Sequence, residues 1–265
     1  RLRLCAYLVI IPNFKIVVKQ PLTPDFPFPE GYVLPVDKPL GWTSSDVVRK
    51  IRVIMRKIGY RKIKVGHAGT LDPLATGVLI ICIGRATKRV DELQAEEKEY
   101  LTTIRLGATT VSYDLEHPID KTYPYDHVTQ ESIEVALREM EGEQLQEPPL
   151  YSAKKIEGQR AYEYAREGEE VKLRHALINI YEMRLEQVNL PDVTLRIRCS
   201  KGTYIRSIAR DLGNKLECGG HLIALRRTRS GAFAESDLYT IEEIEKSLLP
   251  EPLQPFVPSL PLDRE

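Results

Sequence analysis

Apolar positions along this chain recur in two periods, and the switches between them predict its elements. From 44 to 58, Val47, Ile51, Ile54, Met55 and Ile58 fall at the spacing of one buried helix face. Thr43, Ser44 and Ser45 offer caps at its start, Asp46 suits the positive end of the aligned peptide dipoles, and Gly59 supplies a stop. The apolar run 78–83 reads instead as a strand, and 100–106 and 193–199 alternate as half-buried strands do. The helical period returns at 131–140, through Ile133, Val135, Ala136, Leu137 and Met140, and at 204–216, through Ile205, Ile208, Ala209 and Leu212. Strands and helices mix without regular β-α-β alternation, so the expected class is α+β rather than a doubly wound sheet.

Proline changes this picture at both ends. Residues 12–39 hold seven prolines, which predicts an extended lead-in with little helix, and five prolines in 250–261 mark an extended tail. Arg1 and Arg3 before an apolar stretch weakly imitate a signal peptide, but no small-residue cleavage site follows, and the segment reads as an extension carrying a strand.

Composition then narrows the class. A chain of 265 residues suggests one large domain, and 42% hydrophobic content excludes a disordered chain. No apolar run reaches the roughly 18 residues that a membrane helix needs. The four cysteines lie far apart, which favours reduced thiols in a cytosolic protein, and the five histidines form no metal-ligand pattern. Neither a metal nor a cofactor is expected.

Net charge is zero, so a nucleic-acid partner would have to meet a local basic surface. Charge is in fact segregated. Residues 48–64 carry eight basic side chains and no acid, and 201–229 carry seven against Asp211 and Glu217. Residues 129–147 hold six Glu and a single Arg. Each run alone reads as a solvated helix face; two basic runs flanking unusual loops favour a polyanion surface.

The stretch Gly66-His67-Ala68-Gly69-Thr70-Leu71-Asp72-Pro73-Leu74-Ala75-Thr76-Gly77 is the richest in chemistry. It lacks the Gly-Lys-Ser/Thr of a phosphate loop and the Gly-x-Gly-x-x-Gly of a dinucleotide site. It does place a carboxylate directly before a proline, which biases Asp72 toward an extended, projecting geometry. On these residues alone an Asx-type turn is the better explanation.

Together with Gly84-Arg85-Ala86-Thr87-Lys88, that stretch closely resembles the catalytic motif of the TruB family of tRNA pseudouridine synthases. Further blocks are similar to family motifs, in family order. They are Asp37-Lys38-Pro39-Leu40-Gly41, Lys98-Glu99-Tyr100 with Arg105-Leu106-Gly107, Pro148-Pro149 through Tyr162, Ser200 through Arg206, and His221 through Arg227. The likeness covers roughly 31–230.

The resemblance implies a pseudouridine synthase catalytic domain over 31–230, with a central mixed, mostly antiparallel sheet flanked by helices and loops. An RNA-gripping insertion is expected at 121–160, an N-terminal extension of unknown role at 1–30, and a short C-terminal segment at 231–265. It implies Asp72 as the essential carboxylate, Arg206 as the cation that keeps it charged, Tyr100 as the base-stacking ring and Tyr204 as the group at the base edge. Leu225 corresponds to an apolar pocket wall and His67 to a residue holding the target loop open, with a hydrogen bond to the 66–69 turn as its structural alternative. Lys38 and Lys88 are expected on RNA phosphates, Asp114 at the site rim, and Lys154, Lys155 and Arg160 on phosphates from the insertion.

The implied reaction is the isomerisation of uridine 55 in the T loop of tRNA, by flipping the base and rejoining it through C5, with no metal or cofactor. The T-arm stem-loop is the expected partner. A monomer in the cytoplasm is expected, without guide RNA or membrane, since the residues after Ser230 are too few for a further RNA-binding domain of ordinary size. The rival reading is a tRNA-folding chaperone that opens the T arm without catalysis; it has no need of Asp72.

Overall fold

The structure, a computed structural model, describes residues 22–151, 174–255 and 258, and the backbone at 8–11, 14–17, 155–156 and 159–160. Fifteen strands are formed among these residues. The first eight are β1 Leu8–Ile11, β2 Phe14–Val17, β3 Tyr32–Lys38, β4 Val65–Ala68, β5 Ala75–Ile83, β6 Lys98–Leu106, β7 Ala108–Thr110 and β8 Ile119–Thr122. Then come β9 Gly142–Gln146, β10 Lys155–Ile156, β11 Gln159–Arg160, β12 Ala176–Asn189, β13 Asp192–Cys199, β14 Gly220–Ser230 and β15 Phe233–Ala234. The helices are α1 Ser44–Lys57, α2 Val90–Ala95, α3 Gln130–Glu139, α4 Ile205–Lys215 and α5 Ile241–Leu248. The class is α+β. Every strand pairing of known register is antiparallel, and a parallel bridge joins Val36 to Tyr239.

The chain divides into two compact units, Arg1–Glu96 with Arg226–Glu265, and Glu97–Leu225, so that the division falls inside β14. In the first unit β5 is the organising strand. β3 pairs with it from Tyr32↔Ile83 to Lys38↔Gly77, and β4 pairs with its Ile80–Ile83 end. Val78, Ile80 and Cys82 of β5 pack with Val33, Ala68, Leu93 and Phe233 in one buried cluster. Among its described residues the proline-rich lead-in forms β2, a 3₁₀ turn at Phe28–Glu30 and β3, where Pro35 lacks an N–H but its carbonyl accepts from Tyr239 N at 3.0 Å. α1 starts where the caps place it. Thr43 Oγ1 accepts from Asp46 N at 3.0 Å while Asp46 Oδ2 accepts from Thr43 N at 2.9 Å. Gly59, at φ +100°, ends it.

In the second unit the strand order is β6-β13-β12-β9. β13 lies against β6 with Ile197 opposite Tyr100 and Val193 opposite Ile104. One face buries Ile104, Val193, Leu195 and Ile197, and α3 packs on β12. The other face carries cross-strand ion pairs such as Arg105–Asp192 and Arg196–Glu99. This division of faces is the alternation read in the sequence. Among the described residues no helix is long and apolar enough to cross a membrane, and Cys82, Cys199 and Cys218 are buried free thiols.

Candidate active site

In the first unit Asp72 stands in the turn joining β4 to β5, and the fold fastens both of its neighbours. Ser44, the first residue of α1, donates its hydroxyl to Leu71 O at 3.0 Å and accepts from Leu71 N at 2.9 Å. On the other side Pro73 O accepts from Gly41 N at 2.9 Å and from Lys38 Nζ at 3.2 Å. Ala75 N closes the turn on Asp72 O at 3.1 Å. The main chain is thus held on each side of a carboxylate that stays only half-buried. Such anchoring holds a side chain in place without the entropy loss of ordering it anew.

Lys38 does not have the exposed position expected of a phosphate contact. It is fully buried, and its ammonium also donates to Pro39 O at 2.9 Å and Trp42 O at 2.6 Å. Three carbonyls account for its three N–H donors, so it acts as an internal strut under the Asp72 turn. Burial lowers its pKa to about 8, against the opposing pull of the Asp72 and Asp46 carboxylates.

Arg227, counted in sequence among surface cations, is also buried. It donates from Nε to Val78 O at 2.7 Å and from Nη2 to Gly69 O at 3.1 Å, tying β5 to the segment before Asp72. The chain passes so close that a Cβ on Gly77, where φ is +94°, would lie 2.3 Å from Arg227 O. His67 on β4 is half-buried, and desolvation, then the Arg227 charge, lowers its pKa, so the ring is neutral near pH 7. Its Nδ1 is buried with no hydrogen-bond partner among the described residues, so that atom does not make the bond to the 66–69 turn. Lys88 is exposed on the 3₁₀ turn Gly84–Arg89.

In the second unit Arg206, in the first turn of α4, is only 4% exposed, which removes the reading of it as a solvated helix-start arginine. Nη1 donates to Ser112 O at 3.3 Å, and Nε lies 3.7 Å from Asp114 Oδ2. Asp114 is itself buried rather than at a rim; its Oδ1 accepts from Glu116 N at 2.9 Å. Tyr113 between them adopts φ 61°, a left-handed conformation that is costly for an aromatic residue and is held by Leu222 N donating to Tyr113 O at 2.9 Å. Tyr100 is buried on β6, and Leu225 is half-buried in the middle of β14.

Tyr204 stands at the N-cap of α4 without a side-chain cap bond to the helix, and its main chain is gripped by a residue that the sequence pattern does not single out. Gln146, buried at the end of β9, accepts from Tyr204 N at 2.8 Å and donates to Tyr204 O at 3.1 Å. Ser207 Oγ adds a bond to Glu147 O at 2.8 Å. In sequence Gln146 is marked only by being uncharged in an acid-rich stretch. Lys154 and the side chains of Lys155 and Arg160 lie outside the described residues.

A family model described as TruB family pseudouridylate synthase (N terminal domain) matches residues 56–205, and one described as tRNA pseudouridylate synthase B C-terminal domain matches 206–260.
This chain belongs to the TruB family of pseudouridylate synthases.
Members of that family are isomerases. A relative from Phocaeicola vulgatus, named tRNA pseudouridine synthase B, is 54% identical over 222 residues, covering 83% of this chain and 94% of the relative. A protein of the same name from Flavobacterium johnsoniae is 46% identical over 221 residues, covering 83% and 96%. Among solved structures, a chain of a Cbf5-Nop10-Gar1 complex superposes with TM-score 0.63 at 29% identity, covering 91% of this chain and 63% of its own length. A chain of an H/ACA RNP bound to a substrate RNA containing 2′-deoxyuridine gives TM-score 0.59 at 30% identity, covering 81% and 52%. The TruB family thus supplies both the fold and the reaction class.

Proposed function

We propose that this chain converts uridine 55 in the T loop of tRNA to pseudouridine, with Asp72 as its essential group. The observation that carries this reading is a TruB-type Asp-Pro turn whose two flanking peptides are anchored, at Leu71 by Ser44 and at Pro73 by Gly41 and Lys38. The name shared by the relatives supports tRNA as the substrate.

The reaction breaks the N1–C1′ bond, turns the uracil and joins C5 to C1′; N1 gains a proton and C5 loses one, so no atom is added overall. Asp72 acts on the ribose, as nucleophile at C1′ or as base at C2′, and both roles need the ionised carboxylate. In this reading Arg206 favours that charge, Tyr100 stacks on the flipped base, Leu225 walls the pocket, Tyr204 receives the C5 proton and His67 holds the loop open. Stacking worth about 1–3 kcal/mol offsets part of the few kcal/mol spent in unstacking the target.

The test is tritium release from C5-labelled uridine in a T-arm stem-loop, without metal, cofactor or guide RNA. The wild type releases tritium, and Asp72→Asn lowers release by at least ~10³-fold while still binding the RNA. Undiminished release from the variant overturns the reading.

A further inference from the structure

The eight basic side chains between 48 and 64 divide sharply once the fold is known. Three are engaged: Arg49 pairs with Asp46, Lys50 is buried against Glu245, and Arg52 donates to Val65 O at 2.8 Å. The other five, Arg56, Lys57, Arg61, Lys62 and Lys64, are all exposed. They show no hydrogen bond or ion pair to any described residue. In the same unit the half-buried Arg226, by contrast, pairs with Asp37 and Glu235.

Three of these five are also gathered around one hollow. α1 ends at Gly59, and the chain turns back, with Tyr60 Oη donating to Phe26 O at 3.0 Å. Arg56, Lys57 and Arg61 thereby line, with Val53, a hollow of about 260 Å³. Like charges set around one concavity repel each other and weaken the fold unless an anion joins them. The final helix carbonyls favour cations at Arg56 and Lys57, but they do not reach Arg61, Lys62 and Lys64 beyond the helix.

We propose that this end of α1 and the turn after it form a phosphate-binding surface for the substrate RNA, outside the loop that reacts. The inference rests on the tRNA reading above. From Lys64 the four-residue β4 runs to the turn bearing Asp72, a span of roughly 13 Å at strand geometry, so one folded RNA can reach both. A membrane fits less well: none of the large exposed apolar side chains lies between 41 and 110, and surface-seeking helices need an apolar wedge beside their charges.

The test replaces Arg56, Lys57, Arg61 and Lys62 together by Gln in the full chain and measures tRNA affinity across a salt series. Each lost phosphate contact flattens the slope of log affinity against log salt by about 0.9, so the expected change is roughly 2–4, with at least about tenfold weaker binding at low salt. The variant should melt no lower than the wild type, which separates this outcome from misfolding. An unchanged slope overturns the proposal. So does a variant that keeps its tRNA slope but loses binding to phosphatidylserine vesicles, which would assign the surface to a membrane. Wild-type protein that binds tRNA yet makes no pseudouridine would sink the catalytic reading while leaving this surface open to the same salt test.

Discussion

At the scale of single residues, the decisive facts concern charges that left water. Lys38 keeps an ammonium inside the protein because three carbonyls, one of them 35 positions away, replace its hydration. Lys38→Met should lower stability near pH 7 by about 1–3 kcal/mol, since those carbonyls lose their donors. The folded ammonium gives up its proton near pH 8, whereas an unfolded lysine holds it to about 10.4. Between those values the unfolded chain binds more protons, so wild-type stability should rise with pH relative to Lys38→Met, by at most ~3 kcal/mol. Urea unfolding of both proteins from pH 7 to 10.5 reads that difference. Gly77 faces a backbone atom rather than a side chain, so Gly77→Ala has nowhere to put its methyl group and also forbids the local φ. It should destabilise by more than ~2 kcal/mol, seen as a lowered urea midpoint with an unchanged slope.

At the scale of elements, α1, α3 and α4 were legible because each carries a periodic apolar face, to which α1 adds caps readable in its first residues. The Thr43–Asp46 box is contained within four residues and needs nothing from the rest of the chain. The strands β5, β6 and β13 were legible for the same reason, being runs or alternations of apolar residues. β12 was not, since its solvent-facing positions are charged and two register shifts against β13 interrupt its alternation. The grip of Gln146 on Tyr204 joins residues 58 apart, a pairing that no local pattern announces. Gln146→Leu should take away the acceptor of the Tyr204 N–H, the Tyr204 carbonyl keeping only its bond from Ile208 N, and let the start of α4 shift. If Tyr204 acts at the base edge as proposed, small misplacements of it are costly, and kcat for tRNA should fall roughly tenfold with KM nearly constant. Steady-state kinetics showing the reverse, a raised KM at constant kcat, would remove the positioning role.

At the scale of the whole molecule, a net charge of zero conceals two kinds of cation. In the sequence, Arg227 and Arg61 look alike, each an arginine in a basic run. In the structure one is a buried strut and the other lies exposed in a hollow. The sequence by itself determined the family, the Asp72-Pro73 turn and the amphipathic helices, because motif order and short-range periodicity are properties of neighbouring residues. Only the tertiary structure decided which polar groups are interior, Lys38, Asp114, Arg206 and Arg227 among them. A charge can leave water only where carbonyls or carboxylates from elsewhere in the chain stand ready to take water's place, and periodicity carries no record of those distant partners.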